Sequence, residues 1–556
     1  MAGTATLDKP DIDAPPPGPH SLRRVSAPIA VFAGVELVAV FFWLTIGRHK
    51  WFHHDEWDFL AARQAGDLGD LFRPHGPHWV TLPVLLYRAI FSLFGLRAYL
   101  PYRIPVLAAH LSVAALLLVV MRRAEVRPWI AVAAAALFVA FGAGAQDIIN
   151  PFQVAFTAAL AFGLAHLLLA DHAGRVDPRD GWGLLAGLAA LMCSGVGVAM
   201  VAAVGLAVLL RRGWRIAALH TVPLAIVYLV WLAVIGHKTS GQQSSHPTVG
   251  GIIRFVVTGE RAAYEWIVGG SRPLGLAVVL ILAGGLACAA VAHRRWGTLS
   301  RLAAPVALVF GSVVFLGITA SGRLFLGVGA ARSGRYVYLV AALTLPALAV
   351  AADALATLRR WILPVAVALF LIGVPANIRA AVRAGDHADG ATRAIFTSLQ
   401  ADALSKRVPP SIHPEPVMAS DVTIGWLAAQ APGHPVVISA QLQLEDRFRL
   451  AFAQSKQAAP HRSCSSLEKP LVITLAAGDV VGLYRNTIVV RLAGGHHLLG
   501  PPLVFFPRDG RRIALVASPG RVKIDRGRHP LNWAMHRYNT RLVPTICVQR
   551  AAGNGG

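Results

Sequence analysis

The chain is 556 residues long, 55% hydrophobic and only 14% charged, with a mean hydropathy of +0.56. A soluble protein carries about a quarter charged residues, so repeated apolar runs of about 20 residues identify an all-α, multi-pass membrane protein. The formal charge of +24 does not indicate nucleic acid, because much of it sits as short basic clusters at the ends of apolar runs, the mark of positive-inside topology.

Residues 1–26 are polar and Pro-rich and end in Arg23-Arg24; they read as a disordered cytoplasmic start. Ala27 to Gly47 is the first span, too long for a signal-peptide core and followed by no A-x-A-like site, hence an uncleaved anchor. With Arg23-Arg24 inside, the chain emerges on the outer face near Arg48. The loop 48–78 is therefore external. It opens with Phe52-His53-His54-Asp55-Glu56-Trp57-Asp58-Phe59, an acid-rich stretch in an acid-poor sequence. If the stretch is helical, Asp55 and Asp58 share a face. Acids beside a membrane are costly unless they touch water, a partner or a substrate.

Trp79 to Leu96 is apolar but broken by Pro83 and Arg88 and reads as a juxtamembrane or re-entrant helix. A crossing there would put every later basic cluster outside. Pro101 to Val120 runs inward to Arg122-Arg123, and Trp129 to Ala145 returns outward, delivering Gln146-Asp147 and Asn150-Pro151-Phe152-Gln153 to the outer edge. Phe152 to Ala170 goes back in. Trp182 to Leu210 has Arg clusters at both ends, so two short helices broken near Ser194-Gly195 keep both ends inside. Ile216 to Ile235 goes out to an external loop holding His237, Lys238, Glu260, Arg261 and Glu265. Leu274 to Ala292, Leu302 to Ala320, Tyr336 to Leu355 and Trp361 to Pro375 complete about 11 crossings. Arg323, Arg332 and Arg335 lie in an outer loop, against the positive-inside bias.

From about Asn377 the character changes. Residues 378–405 read as polar helix, followed by strand-like runs at Val436-Val437-Ile438, Leu471-Val472-Ile473, Ile488-Val489-Val490 and Ile513-Ala514-Leu515-Val516. The division is thus a start at 1–26, a transmembrane unit at 27–376 and an extracytoplasmic α+β or β-rich domain at 377–556. Of the four cysteines, Cys193 and Cys288 lie in apolar runs and read as packing residues. Cys464 and Cys547 lie in a compartment that permits pairing, which spacing alone does not prove.

The outer side collects Asp55, Glu56, Asp58, His75, His78, Asp147, Lys238, Arg323 and Arg335. Acids beside cations at a membrane edge suit transfer of a sugar from a lipid phosphate to a hydroxyl. A carboxylate serves as general base on the acceptor, and Arg or Lys steadies the phosphate as it leaves. Each residue also has a plainer reading: a helix cap for Asp55, Glu56, Asp58 and Asp147, interfacial hydrogen bonding for His75 and His78, and lipid headgroup contact for the arginines. No motif calls for a cofactor. A divalent cation held by Asp55, Asp58 and His78 is chemically compatible, but no ligand spacing specifies one. Gly142-Ala143-Gly144 and Gly195-Val196-Gly197 follow no strand and read as helix-packing positions, not dinucleotide loops.

At this point the sequence resembles the GT-C superfamily of integral-membrane glycosyltransferases. The resemblance covers residues 27–376. It rests on the external Asp55-Glu56, on Pro74-His75-Gly76-Pro77-His78-Trp79-Val80-Thr81-Leu82-Pro83 before Phe94-Gly95, on Gln146-Asp147 with Asn150-Pro151-Phe152-Gln153, and on Ser333-Gly334-Arg335-Tyr336 opening a span. It implies a polyprenyl-phosphate sugar donor, inversion at the sugar, Asp55 as base with Glu56 or Asp58 assisting, and Asp147 as a second acidic position. The Ala- and Arg-rich makeup is similar to actinobacterial cell-envelope enzymes. That implies a plasma-membrane mannosyltransferase acting on a glycan or lipoglycan, with an arabinosyltransferase as alternative. Two other classes stand beside it: a transporter of lipid-linked sugars, which needs charges deep in the spans and internal symmetry, and a non-catalytic glycan-binding scaffold.

Overall fold

In lipid, a backbone must satisfy its own polar groups, so an uninterrupted apolar run becomes a helix. The computed structural model describes residues 26–52, 55–63, 66–239, 247–296, 299–359 and 361–385, then 410–411, 413, 419, 421–430, Asp479 and nine strands between 452 and 549. The helices are α1 (Ala27–Ile46), α2 (Glu56–Leu60), α3 (Leu68–Phe72), α4 (Thr81–Phe94), α5 (Leu100–Arg123), α6 (Pro128–Val139), α7 (Ala145–Ile149), α8 (Val154–Ala170) and α9 (Pro178–Leu191). They continue as α10 (Val196–Arg212), α11 (Trp214–Val234), α12 (Val249–Ile267), α13 (Arg272–Trp296), α14 (Ala303–Arg323), α15 (Gly334–Leu358), α16 (Ile362–Leu371), α17 (Val374–Gly385) and α18 (Ile424–Ala429).

Among the described residues, nine helical stretches are long and apolar enough to cross a membrane. They are α1, α5, α6 with α7, α8, α11, α13, α14, α15, and α16 with α17. The chain is a multi-pass, helical membrane protein. Helices α9 and α10 are shorter and form a hairpin: Asp180 near the start of one pairs with Arg212 at the end of the other. Helix α4 has 14 residues, about 21 Å, too short to span. Helix α17 carries the helical unit past residue 376 to Gly385.

The bundle has two ends, and α5 connects them over about 36 Å. Tyr99, its N-cap, donates to Glu56 at 2.9 Å, while Arg122 and Arg123 form its last turn. Helix α8 likewise starts beside Phe152 and ends at Asp171, α10 runs from its cap Gly195 to Arg211-Arg212, and α14 runs from just after Arg301, in the 3₁₀ turn Leu299–Leu302, to Arg323. The acid-rich loop and the basic clusters are therefore at opposite ends.

Helix α15 is the central staff, buried along almost its whole length. Close approach around it depends on small residues. A Cβ on Gly142 would lie 1.7 Å from the Asn377 carbonyl oxygen, and one on Gly144 would lie 2.6 Å from the Tyr338 ring. Asn377, fully buried, fixes that turn by accepting from the Ala143 N–H and donating to Trp266 and Gly373 carbonyls. Arg103 closes the end of α1 by donating to the Trp43 and Leu44 carbonyls, a cation where the helix dipole favours one.

The far end is tied by a directional chain. A carboxylate only accepts, so His220 carries its proton on Nε2, 2.9 Å from Asp180, and His166 donates to His220 Nδ1 at 3.1 Å. His172, Asp177 and Asp180 bring potential metal-ligating atoms within 4.8 Å of one another. Their chemistry is that of an ion-pair staple, however. Arg212 and His220 occupy Asp180, and the Gly174 N–H donates to His172 Nδ1, leaving the His172 proton on the nitrogen that faces Asp180.

After α18 the described chain is strand: β1 (Phe452–Ser455), β2 (Cys464–Ser466), β3 (Leu471–Leu475), β4 (Val480–Tyr484), β5 (Ile488–Leu492), β6 (Gly495–Leu499), β7 (Leu503–Pro507), β8 (Ile513–Pro519) and β9 (Thr545–Gln549). All pairings are antiparallel, in a five-stranded sheet β1-β7-β4-β9-β2 and a four-stranded sheet β3-β8-β5-β6. Cys464 and Cys547 face each other across β2 and β9 and form a disulfide. The runs expected at Leu471, Ile488 and Ile513 are β3, β5 and β8. Val436-Val437-Ile438 and most of the polar segment 378–405 lie outside the described residues.

Candidate active site

Three acids sit in four residues, and α2 sends them to three environments. Asp55 occupies the N-cap position and keeps its side chain 59% exposed. Glu56 is buried, and the hydroxyls of Tyr87 on α4 and Tyr99 before α5 donate to its two oxygens at 2.8 and 2.9 Å. It anchors α2 to the aromatic floor of Phe52, Trp57, Tyr87 and Tyr102. Asp58, one turn from Asp55, faces back into the loop. Arg63 donates to its Oδ2 from Nε at 3.1 Å and from Nη2 at 2.7 Å, and Arg73 reaches Oδ1 at 3.2 Å. Arg63, itself buried, also donates to the carbonyls of Asp70, Arg73 and Pro74. The Asp58–Arg63 pair is the internal frame of the loop.

His75 and His78 are brought face to face by a tight turn, with reciprocal backbone bonds of 3.0 and 3.1 Å. Gly76 takes φ +53° there, a conformation that favours glycine. The turn sends His75 to the acids: Nδ1 lies 2.7 Å from Asp58 Oδ2 and Nε2 lies 3.6 Å from Asp55 Oδ1. Phe59 and Phe152 stand edge-on to its ring at 5.6 and 5.1 Å. Burial opposes charge on His75, but the hydrogen bonds and charges of Asp55 and Asp58 outweigh it and push the imidazole up to about 9. For Asp58 burial also opposes charge. His75 and Arg63 outweigh it, and the carboxyl drops to about 2.

His78 behaves oppositely. Its Nδ1 accepts the Gly195 N–H at 3.2 Å, so the neutral ring carries its proton on Nε2. Burial, then the positive charges of His75, Arg323 and Arg335, pull it down to about 4. Those arginines come from the end of α14 and the start of α15, so the sequence-distant residues 75–78, 195, 323 and 335 meet at one end of the bundle. Asp147, inside α7 and not at a cap, joins them. It is fully buried, the charge of Arg335 acts on it, and neither of its carboxylate oxygens has a hydrogen-bond partner among the described residues.

No family model matches the chain, and no curated protein matches it. Two solved structures are similar to it. One is the crystal structure of ArnT from Cupriavidus metallidurans in the apo state, at 14% identity, covering 88% of this chain and 98% of that one, with a TM-score of 0.44. The other is ArnT from the same organism bound to undecaprenyl phosphate, at 14% identity, covering 88% and 97%, with a TM-score of 0.42.

Of the residues singled out in the sequence, Asp55, Asp58, His75, His78, Asp147, Arg323 and Arg335 gather at this end. Glu56 belongs to the same loop but turns inward to the tyrosines. Lys238 lies in the 3₁₀ turn Gly236–Thr239, and its side chain is outside the described residues, as are His53 and His54. Arg332 is drawn away by the buried Glu265, at 2.5 Å. Arg63 and Arg73 were not singled out. Their one sequence signal was a pair of cations in a loop whose acids need neutralising.

Proposed function

We propose that the chain is a GT-C glycosyltransferase that moves a sugar from a polyprenyl phosphate to a hydroxyl at the outer face of the membrane. The observation that carries the reading is the division of labour among the acids. Glu56 is buried against Tyr87 and Tyr99 and Asp58 is gripped by Arg63, Arg73 and His75, whereas Asp55, beside His75, is the one of the three whose side chain is mostly exposed, at the end of the bundle where Arg323, Arg335 and the neutral His78 meet. Asp55 takes the proton of the acceptor O–H as that oxygen attacks the anomeric carbon. The C1–O bond to phosphate breaks with its electron pair on the leaving oxygen, and Arg335 and Arg323 steady the added charge. Attack and departure on opposite faces invert the anomeric centre. His78 offers an uncharged Nε2–H at neutral pH, and the buried Asp147 accepts from a hydroxyl of the bound sugar.

Mannose is the favoured sugar and arabinose the alternative, on the resemblance to cell-envelope enzymes alone. The acceptor is a glycan or lipoglycan, and the strand-rich C-terminal unit is its natural support. The test pairs purified wild type with Asp55→Asn, assayed with radiolabelled decaprenyl-phosphate mannose and arabinose in envelope membranes from a strain lacking the gene. Loss of transfer by at least about 100-fold with an unchanged melting curve is expected, since a positioned base contributes 10²–10⁴-fold. Wild-type transfer by Asp55→Asn would remove Asp55 from this role.

A further inference from the structure

The loop contains a continuous file of charges that ends on Asp55. Buried Arg63 ties three backbone carbonyls and grips Asp58; Asp58 grips His75 at 2.7 Å; His75 presents its second nitrogen to Asp55 at 3.6 Å. We infer that His75 is a positioning residue, a fixed imidazolium that orients Asp55 and keeps it ionised for proton abstraction, held in place by the Arg63–Asp58 pair. The inference rests on the reading of Asp55 as the base and gives the loop a role in that chemistry.

The geometry separates this from a proton relay. A relay needs a neutral imidazole with one bare nitrogen. Here Nδ1 is hydrogen-bonded to Asp58 and Nε2 lies close to Asp55, and the two carboxylates together hold the ring in its charged form, which has no bare nitrogen to accept another proton. The proton taken from the acceptor stays on Asp55 and leaves to water, which the exposure of that side chain allows. A cation fixed at this distance favours the ionised carboxylate, and the ring cannot turn away, since Phe59 and Phe152 wall its edges. The charged and titratable groups facing the ring are Asp55 and Asp58 from α2 and His78 across the turn. Arg63 and Arg73 stand behind Asp58.

Two measurements on the full-length protein test the inference. In the first, histidine-selective NMR in micelles follows the His75 ring, assigned by its disappearance in His75→Gln, through a pH titration. Wild-type His75 holds its proton well above pH 6.5, and Asp55→Asn and Asp58→Asn each lower that midpoint. A midpoint unmoved by Asp55→Asn overturns the inference, whatever the activity. In the second, transfer from the lipid-linked sugar that the wild type uses is followed against pH. His75→Gln, which keeps a hydrogen bond but no charge, shifts the acid limb of the profile upward by about one unit and keeps KM. His75→Lys, which restores the charge, returns the limb to its wild-type position. Equal loss for His75→Gln at every pH would mean that the ring only supports the fold. An active Asp55→Asn, by contrast, overturns the assignment of the base, an outcome distinct from a failed NMR coupling.

Discussion

His75 and Asp58 stabilise the same loop over different pH ranges. The His75 imidazole is raised from 6.5 to about 9, so its contribution is complete below pH 6.5 and is lost as pH rises through about 9. The Asp58 carboxyl is lowered from 3.8 to about 2, so its contribution is complete above pH 3.8 and is lost as pH falls towards 2. The loop is therefore most stable between these limits. Hydrogen exchange of peptides covering residues 55–80, corrected for intrinsic rate, should show protection falling between pH 6.5 and 9 in the wild type. In His75→Gln protection should start lower and stay flat over that interval. A wild-type profile as flat as the variant's would remove the charge pairing from the loop's stability. Arg63→Ala should cost more than His75→Gln, about 3–5 kcal/mol, because it removes the buried guanidinium that pairs with Asp58 and leaves the carbonyls of Asp70, Arg73 and Pro74 without their donor. Thermal unfolding that begins in the loop and leaves helical circular dichroism intact would register it.

At the scale of elements, the spans were legible because an apolar run of about 20 residues has few alternatives to a helix. The break at 192–195 was legible from basic clusters at both ends of one long apolar run. The strands were legible only in part: β3, β5 and β8 carry apolar runs at Leu471-Val472-Ile473, Ile488-Val489-Val490 and Ile513-Ala514-Leu515-Val516, whereas β6, with Gly495-His496-His497, does not. In the site, the shared face of Asp55 and Asp58 followed from helical spacing. The inward turn of Glu56 did not, because it depends on Tyr87 and Tyr99, 31 and 43 residues away. Nor was α18 foreseen. Its Ile424 and Leu427 are buried in the cluster that holds Phe52, Trp57 and Phe59, and Trp426 lies edge-on to Trp57 at 6.2 Å and stacked on Phe91 at 6.0 Å. A five-residue helix such as α2 is not stable alone, so this cover fixes the element that carries Asp55. Trp426→Ala should destabilise by about 3 kcal/mol and lower turnover, whereas Trp129→Ala, an exposed residue at the far end, should do neither. Equal turnover in the two variants would make α18 a bystander.

For the whole molecule, the proposed transfer makes one demand on topology: that the Asp55 end face out. Two independent features of the chain point that way. The far end carries Arg122, Arg123, Arg127, Arg211, Arg212 and Arg301, at the termini of α5, α6, α10 and α14; such clusters are retained in the cytoplasm. The C-terminal sheets contain a disulfide between β2 and β9, and disulfides persist in oxidising compartments. That demand can be tested without knowing the substrate. Alkaline phosphatase, which folds only where disulfides form, is fused after Gly213 or after Thr248. These sites flank α11, whose 21 residues make a single crossing. The fusion after Thr248 should be active and the one after Gly213 inactive, with green fluorescent protein giving the reverse. The opposite pattern would place Asp55 and Arg335 in the cytoplasm. There the Cys464–Cys547 disulfide would be reduced and extracytoplasmic glycans would be out of reach, so the proposed acceptor class would fall with the topology.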